Sequence, residues 1–188
     1  MLQEAAFELF LENSYAKTTI DQISQRAGVS RNTFFNYFPG KSDVFWVDLD
    51  DSLGSLSLCL RSVSASTPVM AAIQDGLLAV AQHFGPQRVP WALTQYELIG
   101  SVHELQASAM TRLAAQARVV TSFVESRGVA REVARAASYA TLGAAVAAAQ
   151  DWASAGTTRG PLEPYLLAAL GPVCSGFQKS IDTVGGAI

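Results

Sequence analysis

The chain has 188 residues, a formal net charge of −3, and 49% apolar against 15% charged residues. That length allows one domain or two small ones, and the composition excludes collagen-like, low-complexity and disordered classes. The slight acidity gives no support to nucleic-acid binding through bulk charge, so any such function has to rest on where the cations are placed.

Leu2, Ala5, Ala6, Leu9 and Phe10 recur at helical spacing and predict a first helix. Phe7 falls off that stripe and is expected to face a separate ligand-binding part, whereas Tyr15 is expected to close the helix end as a core aromatic. The next stretch, Thr18 to Lys41, reads TTIDQISQRAGVSRNTFFNYFPGK. Thr19 with Gln22 three residues on makes a capping box, and Ile20, Ile23 and Ala27 share one helical face. Gly28 ends this helix, because glycine enters the left-handed region without Cβ strain. Ser30 caps a second short helix that exposes Arg31, Asn32 and Thr33, buries Phe34 and Phe38, and stops at Pro39-Gly40. Two short helices joined by a glycine turn form a helix-turn-helix, which lays its second helix in the major groove of DNA.

The run from Thr19 through Gly28-Val29-Ser30 to Thr33-Phe34-Phe35-Asn36-Tyr37-Phe38 and Lys41 resembles the DNA-binding domain of TetR-family bacterial regulators. The resemblance covers about the first quarter of the chain. It departs where the family often has a glycine between the serine and the threonine; here Arg31-Asn32 stands there. The Thr-Phe-Phe-Asn-Tyr-Phe-Pro-Gly-Lys run, with Asp43 and Trp46 after it, is most similar to the subset around mycofactocin-system regulators. Their C-terminal domains are grouped as binding acyl-CoA-like ligands. The resemblance implies a homodimeric regulator, usually a repressor released from a palindromic operator by a small effector.

Ser42 is expected to cap a helix running to about Arg61, with a stripe of Val44, Phe45, Leu49, Leu53, Leu56 and Leu60. The domain boundary is accordingly placed at 41/42, giving a head over 1–41 and a body over 42–188. Asp48, Asp50 and Asp51 read as a solvated helix face rather than a metal site. A Ser-rich break over Ser62 to Pro68 precedes a helix over Val69 to Phe84 and a loop, Gly85 to Pro90, that carries Arg88. Further helices are predicted over Trp91 to Ser101, Leu105 to Arg127, Ala130 to Ala155 and Leu162 to Thr183. Gly171-Pro172 is expected to kink or break the last, and the tail from Gly185 to fray. No alternating strand pattern appears, so the fold class is all-α, a helix-turn-helix head followed by a helical body.

Ala136, Ala140, Gly143, Ala144 and Ala147 put small residues along one face. They fit tight packing within the chain, or a two-fold interface formed with the last helix of a second copy. Cys59 and Cys174 have no metal or redox spacing and read as buried thiols, although a disulfide between them is possible on paper. The N-terminal stretch lacks signal-peptide character, and Ala136 to Ala149 is too short and alanine-rich to span a bilayer, so a cytoplasmic protein is expected.

For DNA, Thr19, Ser30, Thr33, Tyr37 and Lys41 are the expected phosphate contacts, the tyrosine and lysine positions being typical backbone contacts in TetR-like heads. Arg31, Asn32 and Asn36 are the candidates for base edges, and Phe35 packs partly inward and partly against a sugar or thymine methyl. For a ligand, apolar walls come from Trp46, Leu49, Phe84, Trp91, Ile99, Met110, Phe123 and Tyr139. Tyr96, Glu97, His103 and Arg112 are the candidate polar groups, and Arg88, Arg112 and Arg118 the candidate cations for phosphates. No cofactor is expected. No nucleophile elbow, phosphate loop or zinc signature is present, so an enzyme is not expected. The rival reading is a helical small-molecule or lipid-binding protein whose DNA-binding head is inactive.

Overall fold

The computed structural model describes residues 1–86 and 88–185, with side chains through residue 183. The described residues are all-α: ten α-helices and two 3₁₀ segments, with one isolated bridge between Gly85 and Arg88. The chain divides into two compact units, Met1–Val47 and Asp48–Ile188. The expected fraying of the tail falls, beyond Gly185, outside the described residues.

The first unit holds α1 (Leu2–Asn13), α2 (Ile20–Arg26), α3 (Arg31–Tyr37) and a 3₁₀ segment, Lys41–Trp46. Its core is aromatic. Phe10, Tyr15 and Phe45 lie 5.1–5.5 Å apart in a triangle, and Ile23, Phe34 and Val44 are fully buried around it. Each such side chain contributes roughly 1.5–3 kcal/mol by leaving water. Phe7, expected to face a ligand-binding part, instead packs on Phe45 with ring centroids 6.3 Å apart.

The helix expected from Ser42 does not start there. Residues 41–46 form 3₁₀ turns, and α4 proper runs Val47–Ser62. Val44, Phe45 and Trp46 are buried in succession, and Ser42 is buried rather than exposed as a cap. Three consecutive large side chains point in three directions, about 120° apart in a 3₁₀ coil, so their joint burial means that the head packs around this segment on more than one side. This segment belongs to the first compact unit.

The second unit is built from most of α4, α5 (Val69–Ala81), α6 (Trp91–Thr94), α7 (Tyr96–Ser101), α8 (His103–Ser126), α9 (Arg131–Ser154) and α10 (Glu163–Gly185). The helix expected over Trp91 to Ser101 is two, separated at Gln95 with φ −110° and ψ 29°. α9 packs against α8 and α10, and α5 against α10. Leu56, Ile73, Val120, Ala137, Trp152 and Leu170 mark the centre of one core drawn from five helices. Two polar pairs tie its segments together: the Trp152 indole N–H donates to Gly160 O at 2.8 Å, and Thr121 bonds Ser138 at 3.0 Å. α5 begins without a side-chain cap of its own, and Gln178 Oε1 of α10 accepts from the Met70 N–H at 3.0 Å instead.

Gly171-Pro172 does not break α10, which continues through Pro172. The missing Cβ of Gly171 relieves the clash that a residue before proline suffers in the α region. Both cysteines are free; Cys174 is buried, and that burial raises its thiol pKa.

Candidate nucleic-acid interface and effector body

The reading head is assembled from local rules. The Gln22 N–H donates to Thr19 Oγ1 at 3.2 Å, and Gln22 Oε1 accepts from the Thr19 N–H at 2.8 Å, so the capping box is complete. Gly28 has φ +68°, which lets Val29 N–H donate back to Ser24 O at 3.0 Å. Ser30 Oγ accepts from the Thr33 N–H at 3.0 Å and caps α3. With Phe34 anchored inside, α3 turns Arg31, Asn32, Phe35, Asn36 and Tyr37 outward. Tyr37 is 72% exposed and Phe35 43%.

Charge is arranged by pairing. Arg26 donates to Glu12 at 2.7 and 3.0 Å and to Glu8 at 3.1 Å, tying α2 to α1 and neutralising much of the acidity of α1. The hydrogen bond from Arg26 lowers the pKa of the Glu12 carboxyl, and the same contacts raise that of the guanidinium. Arg31 donates to both Asp21 carboxylate oxygens at 2.8 and 3.0 Å and lies 5.5 Å over the Phe35 ring. Such an exposed pair is worth about 0–1 kcal/mol, less than the roughly 1–3 kcal/mol of a good bidentate base contact. Arg31 can therefore exchange Asp21 for a guanine edge at a net gain. Asn32 and Asn36 have no side-chain hydrogen-bond partner among the described residues, leaving their amides open to a base. Thr19 and Ser30 spend their hydroxyls on caps while staying exposed, and the hydroxyl of half-buried Thr33 pairs with that of Ser30 at 2.8 Å. The Lys41 ammonium donates to Tyr15 O and Thr18 O at 2.8 and 3.0 Å and lies 4.0 Å over the Tyr15 ring. It closes the chain segment between α1 and α2.

The candidate effector residues do not form a single cluster. Trp46 is buried in the head. Phe84 and Phe123 pack against the body core, and Leu49, Trp91 and Ile99 are half-buried. Tyr96, Glu97, His103 and Met110 are exposed, and among the described residues the Tyr96 hydroxyl reaches only its neighbour Glu97 at 3.5 Å. Tyr139 sits on the outer face of α9, 45% exposed. Arg112 uses its fork on Asp50, with Nε and Nη2 donating at 2.9–3.0 Å, and its other nitrogen on Ser108 Oγ. That fork holds the first turn of α4 against α8.

The structure adds a group that sequence reasoning reached only through Arg118 and Phe123. A surface groove of about 710 Å³ runs between the C-terminal half of α4 and α8, and Arg61, Arg118 and Arg127 line it. The spacing i, i+4, i+8 of Arg118, Ser122 and Ser126, matched by Ser57 and Arg61, was the signal that could have found it.

A capped helix-turn-helix with an exposed recognition helix, followed by a separate helical body, defines a DNA-binding regulator with an effector domain. Residues 2–45 match the profile of bacterial regulatory proteins of the tetR family, and residues 67–178 match the MftR C-terminal domain. The chain belongs to the TetR family of transcriptional regulators, in the group with the MftR-type C-terminal domain, and is not an enzyme. It is 26% identical over 154 residues to a candidate mycofactocin biosynthesis transcriptional regulator, MftR, of Mycobacterium tuberculosis, covering 80% of this chain and 77% of that one. Its fold is similar to Thermus thermophilus FadR, a TetR-family transcriptional repressor solved with lauroyl-CoA: TM-score 0.64, 23% identity, 93% and 92% of the two chains covered. A TetR regulator from Rhodococcus sp. RHA1 matches at TM-score 0.58 and 18% identity over 94% and 92% of the chains.

Proposed function

We propose that the protein is a cytoplasmic homodimeric repressor that binds a palindromic operator through α3 and is released by a small apolar or acyl-CoA-like effector. The observation that carries the DNA half is the outward presentation of Arg31, Asn32, Asn36 and Tyr37 from a doubly capped motif. Arg31 and the two asparagines read base edges; Thr19, Ser30, Thr33, Phe35 and Tyr37 set the register on the backbone, and Lys41, turned onto Tyr15 O and Thr18 O, braces the segment behind them. The head extends to about the end of the 3₁₀ segment.

Two copies are needed because a two-fold operator presents half-sites about 34–36 Å apart. The outer face of α9 supports this, with Ala136, Tyr139, Gly143, Val146 and Ala147 exposed and uncharged, and α10 adds Leu167, Ala168 and Pro172. A contiguous surface of small and apolar residues suits close helix approach across a two-fold axis.

The effector reading is supported by the MftR-type body and by the lauroyl-CoA complex of the T. thermophilus neighbour. The effector shifts the body only by its differential affinity for two states, and α4 carries that shift toward the head. Fluorescence anisotropy on an operator duplex tests both halves. The wild-type protein binds specifically, lauroyl-CoA releases it, and unlabelled non-operator DNA does not compete. Failure to prefer operator over scrambled duplex at moderate salt sinks the proposal.

A further inference from the structure

The groove between α4 and α8 joins two of the effector candidates, Arg118 and Phe123, to Arg61 and Arg127, which no reading above assigns to a ligand. Its walls belong to one compact unit. Its volume of about 710 Å³ is in the range of small-molecule sites, roughly 300–1,000 Å³. Leu60, Val119 and Phe123 supply apolar surface, Ser57 and Ser122 hydroxyls, and no carboxylate is among the lining residues. In a protein with 16 acidic against 13 basic residues, three arginines around one acid-free groove form a local field opposite to the net charge.

The three arginines differ in what they already do. Arg127 donates to Ala65 O and Ser64 O, both at 2.9 Å, and lies 5.0 Å over Phe123, so it builds one wall of the groove. Arg61 and Arg118 are exposed and have no ion-pair or hydrogen-bond partner among the described residues. Two open guanidinium forks over an apolar floor match a ligand with phosphate groups and a flat or aliphatic remainder, because the planar fork pairs with phosphate oxygens two at a time.

We propose that this groove binds the phosphate groups of a small organic phosphate, with Arg61 and Arg118 as its paired ligands. The inference rests on the effector reading only for the source of the phosphate: the nucleotide end of an acyl-CoA-like effector. A separate phosphorylated metabolite would meet the same chemistry.

The test uses the full chain, with CoA and 3′,5′-ADP as acyl-free probes in titration calorimetry. Wild type binds both, and Arg61→Gln combined with Arg118→Gln weakens them by about ten-fold or more, since hydrogen bonds to charged groups are lost. Melting of the double variant stays at the wild-type temperature because both side chains are exposed. Replacing both arginines with lysine restores part of the affinity by keeping the charge. No binding by wild type at millimolar probe, or equal binding by wild type and the glutamine variant, overturns the proposal. Operator release by lauroyl-CoA separates the sources. A raised effector requirement in the glutamine variant assigns the groove to the effector's nucleotide end. Unchanged release, with arginine-dependent binding of 3′,5′-ADP, overturns that assignment and keeps the phosphate site. If lauroyl-CoA fails to release even wild type while CoA binding still needs the arginines, the effector reading falls and the groove stands.

Discussion

At the scale of single residues, Tyr37 and Lys41 separate contact from scaffold. Tyr37 is 72% exposed, so Tyr37→Ala should leave the melting temperature of the head nearly unchanged and weaken operator binding in anisotropy titrations. Lys41→Ala removes two charge-assisted hydrogen bonds to Tyr15 O and Thr18 O. It should destabilise the head by about 1.5–3 kcal/mol in urea unfolding, before any effect on DNA is considered. Asp21 restrains Arg31, so Asp21→Asn should tighten DNA binding, by up to about five-fold at low salt, from the modest worth of an exposed pair. The Arg26 hydrogen bond keeps the Glu12 carboxyl below its usual value. Its stabilisation is present above the ordinary carboxylate range and is lost as the pH falls through the lowered value. Arg26→Met should therefore remove the Glu12 shift in a carboxyl NMR titration. The cap residues and the outward trio of α3 were legible in the sequence because each follows from a local spacing. The inward turn of Lys41 and the pairing of Arg112 with Asp50 were not, since their partners are 26 and 62 residues away along the chain.

At the scale of elements, local rules succeeded where one chain segment decided the outcome and failed where tertiary burial did. The capping box, Gly28 and Ser30 set α2 and α3 without outside help. The 3₁₀ segment was read as the start of a longer helix because Val44, Phe45 and Leu49 imitate a helical stripe. Trp46, off that stripe, is buried in the head as well, which a one-sided stripe does not anticipate. α10 persists through Pro172 because Gly171 offers no Cβ to the proline ring, a local feature that a generic helix-breaker rule overlooks. The fork from Arg112 to Asp50 joins α4 to α8 within the body. Asp50→Asn should lower the stability of the body by up to about 1 kcal/mol in urea unfolding, because one partly exposed ion pair is lost.

At the scale of the whole molecule, the central claim is that two copies of one reading head address one two-fold DNA site. The body alone could not have announced this from its composition, because small-residue helices pack equally well within a chain and between chains. The proposed interface makes its own prediction. A charge at Gly143 of α9, as in Gly143→Arg, should convert the dimer to monomer in sedimentation velocity while helical content is retained. The most direct measurement is selection of bound duplexes from a random pool by the wild-type protein, followed by sequencing. The account predicts an inverted repeat whose half-site centres lie about 10–10.5 base pairs, or a multiple of that, apart, and its loss when Asn32 and Asn36 are replaced by alanine. A pool with no enriched sequence, or one enriched for a single unrepeated site indifferent to those replacements, would contradict it.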